Sequence, residues 1–327
     1  MTDTALYALR FKSVYKDYLW GGNKIISKYN REEPPGVYAE SWEVADRLDG
    51  MSVVSNGPLV GLTLREMVQR FGPRLMGTNV RGTVFPLLVK LIDASDKLSV
   101  QVHPDDDTAK QFGGVAKTEM WYVLDAQPGA SLYVGFKPGV NRAQLEDAIH
   151  TKHVRELLNC IPVAPGDAIY VPGGRVHAID AGCLIFEVQQ NSNTTYRVYD
   201  WGRVGLDGKP RPLHIREALR VIKWDDTAPP KLDPMRLAVH GATEIWRLVS
   251  TPSFRVDRLS ISDPCNCPGD GSTFNIFFVV SGRLQVSSGA ITEVLEPGGV
   301  CLVPASLSEC SVDPLDGPTI LLRVTAP

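Results

Sequence analysis

The feature that most restricts how this 327-residue chain can fold is a repeated strand-and-turn pattern. Ala164-Pro-Gly-Asp-Ala-Ile-Tyr-Val-Pro172-Gly-Gly-Arg-Val-His177 returns as Glu296-Pro-Gly-Gly-Val-Cys-Leu-Val-Pro304-Ala-Ser-Leu-Ser-Glu309. An apolar run precedes each copy, Trp121-Tyr-Val-Leu124 before the first and Phe277-Phe-Val-Val before the second. Pro-Gly marks a turn, and the apolar stretch up to the next proline has strand length. Two such copies predict two β units of one design. The second copy keeps the turns and the apolar positions but carries Glu309 where the first has His177, so a site that needs this histidine belongs to the first unit alone. A proline-containing connector over 227–234 suits a boundary, giving a site-bearing domain over 1–230 with helical additions and a second domain over 231–327.

The rest of the chain fits that frame. With 43% hydrophobic and 22% charged residues there is material for a core, and 29 glycines and 24 prolines supply turns. Extended segments are expected over 7–18, 39–45, 85–92, 98–103, 117–124 and 184–189, with a loop over 104–116. Helices are expected over 64–71 (Thr63 as cap), 144–158 and 213–223. A net charge of −3 gives no bias toward nucleic acid or a membrane surface. No apolar run approaches membrane-spanning length, and the first residues lack a signal-peptide layout, so the expected location is cytoplasmic. The cysteines at 160, 183, 265, 267, 301 and 310 read as reduced thiols. Only Cys265 and Cys267 are close, and for them a surface redox or adventitious metal role is the alternative.

Chemistry concentrates around Lys97-Leu-Ser-Val-Gln-Val-His-Pro-Asp-Asp106. Leu98, Val100 and Val102 alternate with Ser99, Gln101 and His103, so a strand here aims an amide and an imidazole at one place. Such a strand either lines a polar cavity or holds a metal. Glu119 and His177 complete a set of N and O donors with Gln101 and His103. Four such donors suit one zinc per chain with a position left open, and a single carboxylate leaves the site about +1, a good Lewis acid. His150 and His153 lie in a helical patch, His214 at a helix start and His240 in the connector, all without partners at ligand spacing. Lys90 interrupts an apolar strand, where an unpaired ammonium is costly. Lys117 shares a strand face with Glu119, and Arg197 and Arg203 follow a polar run; surface-paired cations are the alternative for these. Glu187, an acid in the apolar strand LIFEVQ, has the raised pKa a general base needs if it is buried, or else faces solvent or pairs with Arg197.

Gly166-x5-Pro172-x-Gly174-x2-His177 resembles the second signature of the cupins, with Gln101-x-His103 in the place of their usual His-x-His. FPLLVK, KLSVQVHPDD, KTEMWYVL, VPGGRVHAI and NTTYRVYDWGR, in that order, resemble the type I mannose-6-phosphate isomerases in their short bacterial form, over nearly the whole chain. The resemblance implies two cupin-type antiparallel β-barrels (jelly-rolls), mainly β with a few short helices, the second barrel degenerate. It implies a zinc enzyme that interconverts mannose 6-phosphate and fructose 6-phosphate through a cis-enediol. Active-site places fall to Lys90, Lys117 and Arg197, with Arg197, Lys117 and Glu187 as the catalytic set. Substrate-binding positions are Lys90, Ser99, Asp17, Trp20, Glu40, Asn193 and Arg203, although Asp17, Trp20 and Glu40 are equally suited to structural roles. Asn193 departs from the family, whose members often carry aspartate there. An amide cannot accept the proton, which leaves Glu187, Lys117, His103 or a metal-bound water as the base. The expected partner is a phosphosugar, with the chain a monomer or weak homodimer. Two other readings are a metal-dependent oxygenase or decarboxylase on a double cupin, which would use more histidines, and a non-catalytic sugar-binding cupin.

Overall fold

A computed structural model describes residues 5–205 and 208–327. The chain divides into two compact units: Met1–Val14 with Trp42–Val89 and Asp233–Pro327, and Tyr15–Ser41 with Lys90–Leu232. The connector crossing at Leu232–Asp233 is therefore one of several places where the chain passes between units. Among the described residues the fold is mainly β and of cupin type, with antiparallel strands and a few helices.

In the Lys90–Leu232 unit one sheet runs, in pairing order, Leu158–Pro162, Ser131–Phe136, His177–Ile179, Val100–Val102 and Tyr196–Tyr199. A second begins Ala168–Val171, Glu119–Ala126 and Cys183–Gln190. Leu132, Val134 and Ile179 from the first meet Trp121, Ile169 and Ile185 from the second in one buried cluster. Period-two alternation explains this, because each strand sends every second side chain to the same interior.

The other unit repeats the plan. Phe277, Ile261 and Leu321 on one sheet pack against Val286, Leu295 and Val312 on another. The repeat seen in the sequence is a repeat of pairing: Ala168–Val171 lies antiparallel to Glu119–Ala126, and Val300–Val303 lies antiparallel to Asn275–Ser281. This unit is closed by distant parts of the chain. Leu9 and Leu302 exchange both backbone hydrogen bonds, and Phe85 packs on Phe274 with ring centroids 4.5 Å apart.

Local differences from the expected elements have local causes. The 104–116 segment is not all loop: Asp105 and Thr108 form a capping box that starts the helix Asp106–Phe112. The helix expected over 144–158 is two, Arg142–Thr151 and Val154–Leu157, broken where Lys152 turns left-handed (φ 65°), and Leu158 already begins a strand. The opening extended segment is two short strands, Phe11–Lys12 and Val14–Lys16. His240 ends the strand Met235–His240 and does not lie in a connector. The Leu64–Phe71 helix forms as expected, Thr63 and Glu66 making its capping box.

Candidate active site

Register assembles the site. Gln101 is paired with His177 on one side and with Arg197 on the other, so three polar side chains stand in a row across adjacent strands. Opposite them, Glu119 pairs with Val171 and Gln189, and Trp121 with Ile169 and Glu187. The turn that delivers His177 is held close to the strand that delivers His103. Gly174 N–H donates to the His103 carbonyl at 2.8 Å, and a Cβ on Gly173 would sit 2.6 Å from the Asp105 backbone. Only glycine permits that approach.

His103, Glu119 and His177 are all buried and offer one ligand atom each within 4.8 Å of one another, a group that could hold a metal ion. His103 Nε2 lies 3.4 Å from Glu119 Oε1, and His177 Nε2 lies 3.6 Å from Glu119 Oε2. Each ring bonds a backbone carbonyl through Nδ1, His103 to Thr194 at 2.8 Å and His177 to Arg175 at 2.9 Å. Nδ1 is then the protonated nitrogen, and both Nε2 lone pairs face the carboxylate, as ligand imidazoles require. Burial pushes both histidines below their ordinary pKa, His177 to about 3, which keeps the rings neutral. Burial acts upward on Glu119, but the Lys117 ammonium beside it holds it well below the carboxylate range. Its Oε2 is buried without a hydrogen-bond partner. A lone pair left bare in the interior beside the His177 nitrogen, with the His103 nitrogen at the other oxygen of the same carboxylate, fits a cation. Gln101 points at the same place, with Nε2 3.3 Å from His177 Nε2 and Oε1 accepting from Ser99 Oγ at 3.3 Å. Reversing this amide would present its oxygen to the cluster, and the Ser99 hydroxyl can serve either orientation.

A cavity of about 330 Å³ opens over this group, lined among others by Trp20, Glu40, Lys90, Ser99, Gln101, Lys117, Glu119, Glu187, Asn193 and Arg197. Lys117 is buried, its Nζ 2.5 Å from Glu119 Oε1 and 3.2 Å from His103 Nε2. Lys90 is buried between Glu40 (3.0 Å) and Glu187 (3.1 Å), and neither lysine is a surface cation. Two carboxylates outweigh the burial that would otherwise discharge Lys90 and raise its pKa. Glu187 faces neither solvent nor Arg197. Trp121 Nε1–H donates to its Oε2 at 2.7 Å, while its Oε1 ion-pairs with Lys90 outside hydrogen-bonding geometry. Burial and then the Glu119 charge push its pKa up to about 6, against the pull of Lys90.

At the other end Arg197 donates to Ser99 Oγ (3.2 Å) and to the Pro212 carbonyl (3.0 Å), neither of them an acid. Its pKa is lowered by burial and by Arg211. Arg211, which sequence reading missed, lines the cavity and grips Asp200 through Nε (2.8 Å) and Nη2 (2.6 Å). Arg203 stands behind the lining, sharing Asp200 at 2.7 Å. Arg203 also pairs with Asp96 at 3.4 Å, so Arg197, Arg203 and Arg211 outnumber the two carboxylates Asp96 and Asp200 and leave an excess of one positive charge. Tyr18 and Thr195 also line the cavity, whereas Asp17 is exposed and outside it. No periodicity marks Arg211; its only signal is a cation between two prolines, Pro210 and Pro212. His214, read as unremarkable, brackets Arg197: Nδ1 accepts from the Arg197 amide at 3.2 Å and its own amide donates back at 2.7 Å.

A family model, phosphomannose isomerase type I, catalytic domain, matches residues 8–133. A probable mannose-6-phosphate isomerase of Bacillus subtilis is 37% identical over 311 residues, covering 94% of this chain and 96% of its own. The mannose-6-phosphate isomerase of Streptococcus mutans is 35% identical over 296 residues, covering 90% and 92%. The crystal structure of the mannose 6-phosphate isomerase from Bacillus subtilis superposes with a TM-score of 0.88 at 30% identity, over 98% of this chain and 99% of that one. Identity at this level along almost the full length, on the same two-unit β fold, makes this chain a member of the type I phosphomannose isomerase family.

Proposed function

We propose that the chain is a zinc-dependent isomerase that interconverts mannose 6-phosphate and fructose 6-phosphate through a cis-enediol, with its chemistry in the cavity of the Lys90–Leu232 unit. The observation that carries this reading is the buried His103–Glu119–His177 group, with Glu119 Oε2 bare beside His177 Nε2 and Glu119 lining a cavity that also holds Lys117 and Arg197. His103, His177 and Glu119 would hold the ion, with the Gln101 oxygen as the fourth donor. N and O donors with one carboxylate favour zinc over a redox iron centre, which commonly has more histidines. When bound, zinc supplies Lewis-acid stabilisation of negative charge on the sugar oxygens.

The protein groups divide the remaining work. The excess charge of Arg197 and Arg211 suits a phosphate dianion, and a guanidinium fork matches its oxygens. Phosphate bound there extends the sugar toward Lys117 and Glu187. Glu187 removes the proton from C2 and returns it to C1, while a proton moves between the two oxygens. A pKa of about 6 suits that exchange near neutrality, and Oε1 keeps the lone pair it needs. Trp121 and Lys90 fix its orientation. Asn193, unable to take a proton, is left to hydrogen-bond sugar hydroxyls. Coupled assay of fructose 6-phosphate formed from mannose 6-phosphate tests the proposal, with turnover expected to disappear on chelation and return with zinc. A folded, zinc-loaded protein without turnover would overturn it and leave the sugar-binding cupin.

A further inference from the structure

The unit formed with Asp233–Pro327 contains a pair of thiols that the isomerase chemistry does not use. Sequence spacing draws attention to Cys265 and Cys267, but the partner of Cys267 is Cys310. The edge strand Cys265–Asn266 pairs with Ser311–Pro314 in the register Cys265↔Val312 and Asn266↔Ser311, which sets Cys267 opposite Cys310. Cys267 N–H donates to the Cys310 carbonyl at 2.8 Å, and the two sulfurs are 3.4 Å apart. Opposed residues that share a backbone hydrogen bond have Cα atoms about 5.5 Å apart, inside the span a disulfide bridges. The backbone is already fixed beyond this point, Gly269 N–H bonding the Leu307 carbonyl at 2.7 Å and Gly271 the Ala305 carbonyl at 3.0 Å. Closing the bond then needs side-chain rotation and little movement of the chain.

The two thiols are not equivalent. Cys267 donates its S–H to Cys310, which holds the Cys310 pKa below its ordinary value and pushes Cys267 up. Cys310 lines an open, polar cavity of about 360 Å³ with Asn266, Pro268, Ser308 and Glu309, a route for a small reagent. Cys265 and Cys267 border a separate, mainly apolar cavity of about 200 Å³. The nucleophile therefore faces the polar cavity, and the resolving thiol stands directly across the strand pair.

We propose that Cys267 and Cys310 form a site of reversible disulfide modification, driven by a hydroperoxide such as hydrogen peroxide. The Cys310 thiolate attacks one peroxide oxygen, the O–O bond breaks, and Cys310 becomes a sulfenic acid as hydroxide leaves. Cys267 then attacks that sulfur, the S–S bond forms, and the second oxygen departs as water with the Cys267 proton. Two thiols lose two electrons in all, and one peroxide becomes two waters. The product clips together the segment between residues 267 and 310 and restricts its unfolded ensemble.

The test is to oxidise the reduced, folded, full-length protein with hydrogen peroxide, block free thiols with an alkylating reagent, and map peptides by mass spectrometry. The expected product is a Cys267–Cys310 cross-linked peptide that dithiothreitol removes, accompanied by a rise in Tm of several degrees. Cys265→Ser should leave the cross-link intact. Cys267→Ser should stop Cys310 at the sulfenic or a higher acid, with no rise in Tm. A bond from Cys310 to Cys265, over-oxidation of Cys310 in wild type without a cross-link, or free thiols at both positions after peroxide would each overturn the proposal. Because the mapping is done on wild type, a variant that fails to fold leaves the answer unaffected.

Discussion

At the scale of single residues, the site separates into groups that hold charge and groups that move it. His177→Ala removes a neutral donor and leaves Glu119 facing one imidazole. Metal content by elemental analysis should fall with activity, and added zinc should restore neither in full. Arg197→Ala should retain metal and lose turnover, because its guanidinium bonds Ser99 and Pro212 and no member of the His103–Glu119–His177 group. Wild-type kinetics in that variant would take Arg197 out of the site. Glu187→Gln keeps the size and the Trp121 bond but cannot accept a proton. A kcat loss of about 10²–10⁴-fold with metal retained is the expected result, and a smaller loss would assign the base elsewhere. The pH profile follows from the same group. The base works ionised, so turnover should rise with pH through a limb at or below about 6. Bound cation at Glu119 offsets the repulsion that raises the Glu187 pKa, so metal loading moves the limb down and not up. This limb should be absent from the residual activity of Glu187→Gln.

Elements matter through their ends. Asp105 caps the Asp106–Phe112 helix, two residues after His103, and pairs with Lys223 at 2.6 Å. Burial acts upward on its carboxyl, yet Lys223 and Thr108 lower its pKa from 3.8 to about 2. A depressed carboxylate contributes stability that is complete above pH 4 and is lost as pH falls toward 2. Asp105→Asn keeps the cap and loses the pair. In urea titrations it should cost about 1 kcal/mol near neutrality, and the difference from wild type should shrink as pH falls below 4. How much the sequence revealed also differs by element. Alternation and Pro-Gly turns disclose the strands carrying Gln101, Glu119 and His177, with His103 just past the end of the first, because burial on one face leaves a period of two. Side-chain pairings across strands leave no such trace. That Lys90 sits between Glu40 and Glu187 depends on which strands are neighbours, and Arg211 reaches the cavity from a proline-flanked segment with no periodicity. The short helix after Asp105 was hidden because its Asp- and Gly-rich surroundings read as turn.

On the scale of the whole molecule, the repeat makes two units of one plan legible from the chain alone, but not which segments complete each. Trp42–Val89 and the first strands belong with Asp233–Pro327. Leu9 bonds Leu302, Phe85 packs on Phe274, and the Ala305 amide donates to the Leu75 carbonyl at 3.0 Å. A ribosome releases these partners in a fixed order. Residues 42–89 leave the tunnel long before residues 270–305 exist, so this unit must wait with apolar surface uncovered until those residues have been made. The Lys90–Leu232 segment has no such wait, and its strands can pair as they appear. Long-range closure of this kind is slow and exposes strand edges meanwhile. Truncation after residue 232 should therefore yield aggregation of the 42–89 region, seen as loss of soluble protein and recovered by supplying the missing C-terminal segment in trans. For this fold, strands made late decide when strands made early become safe.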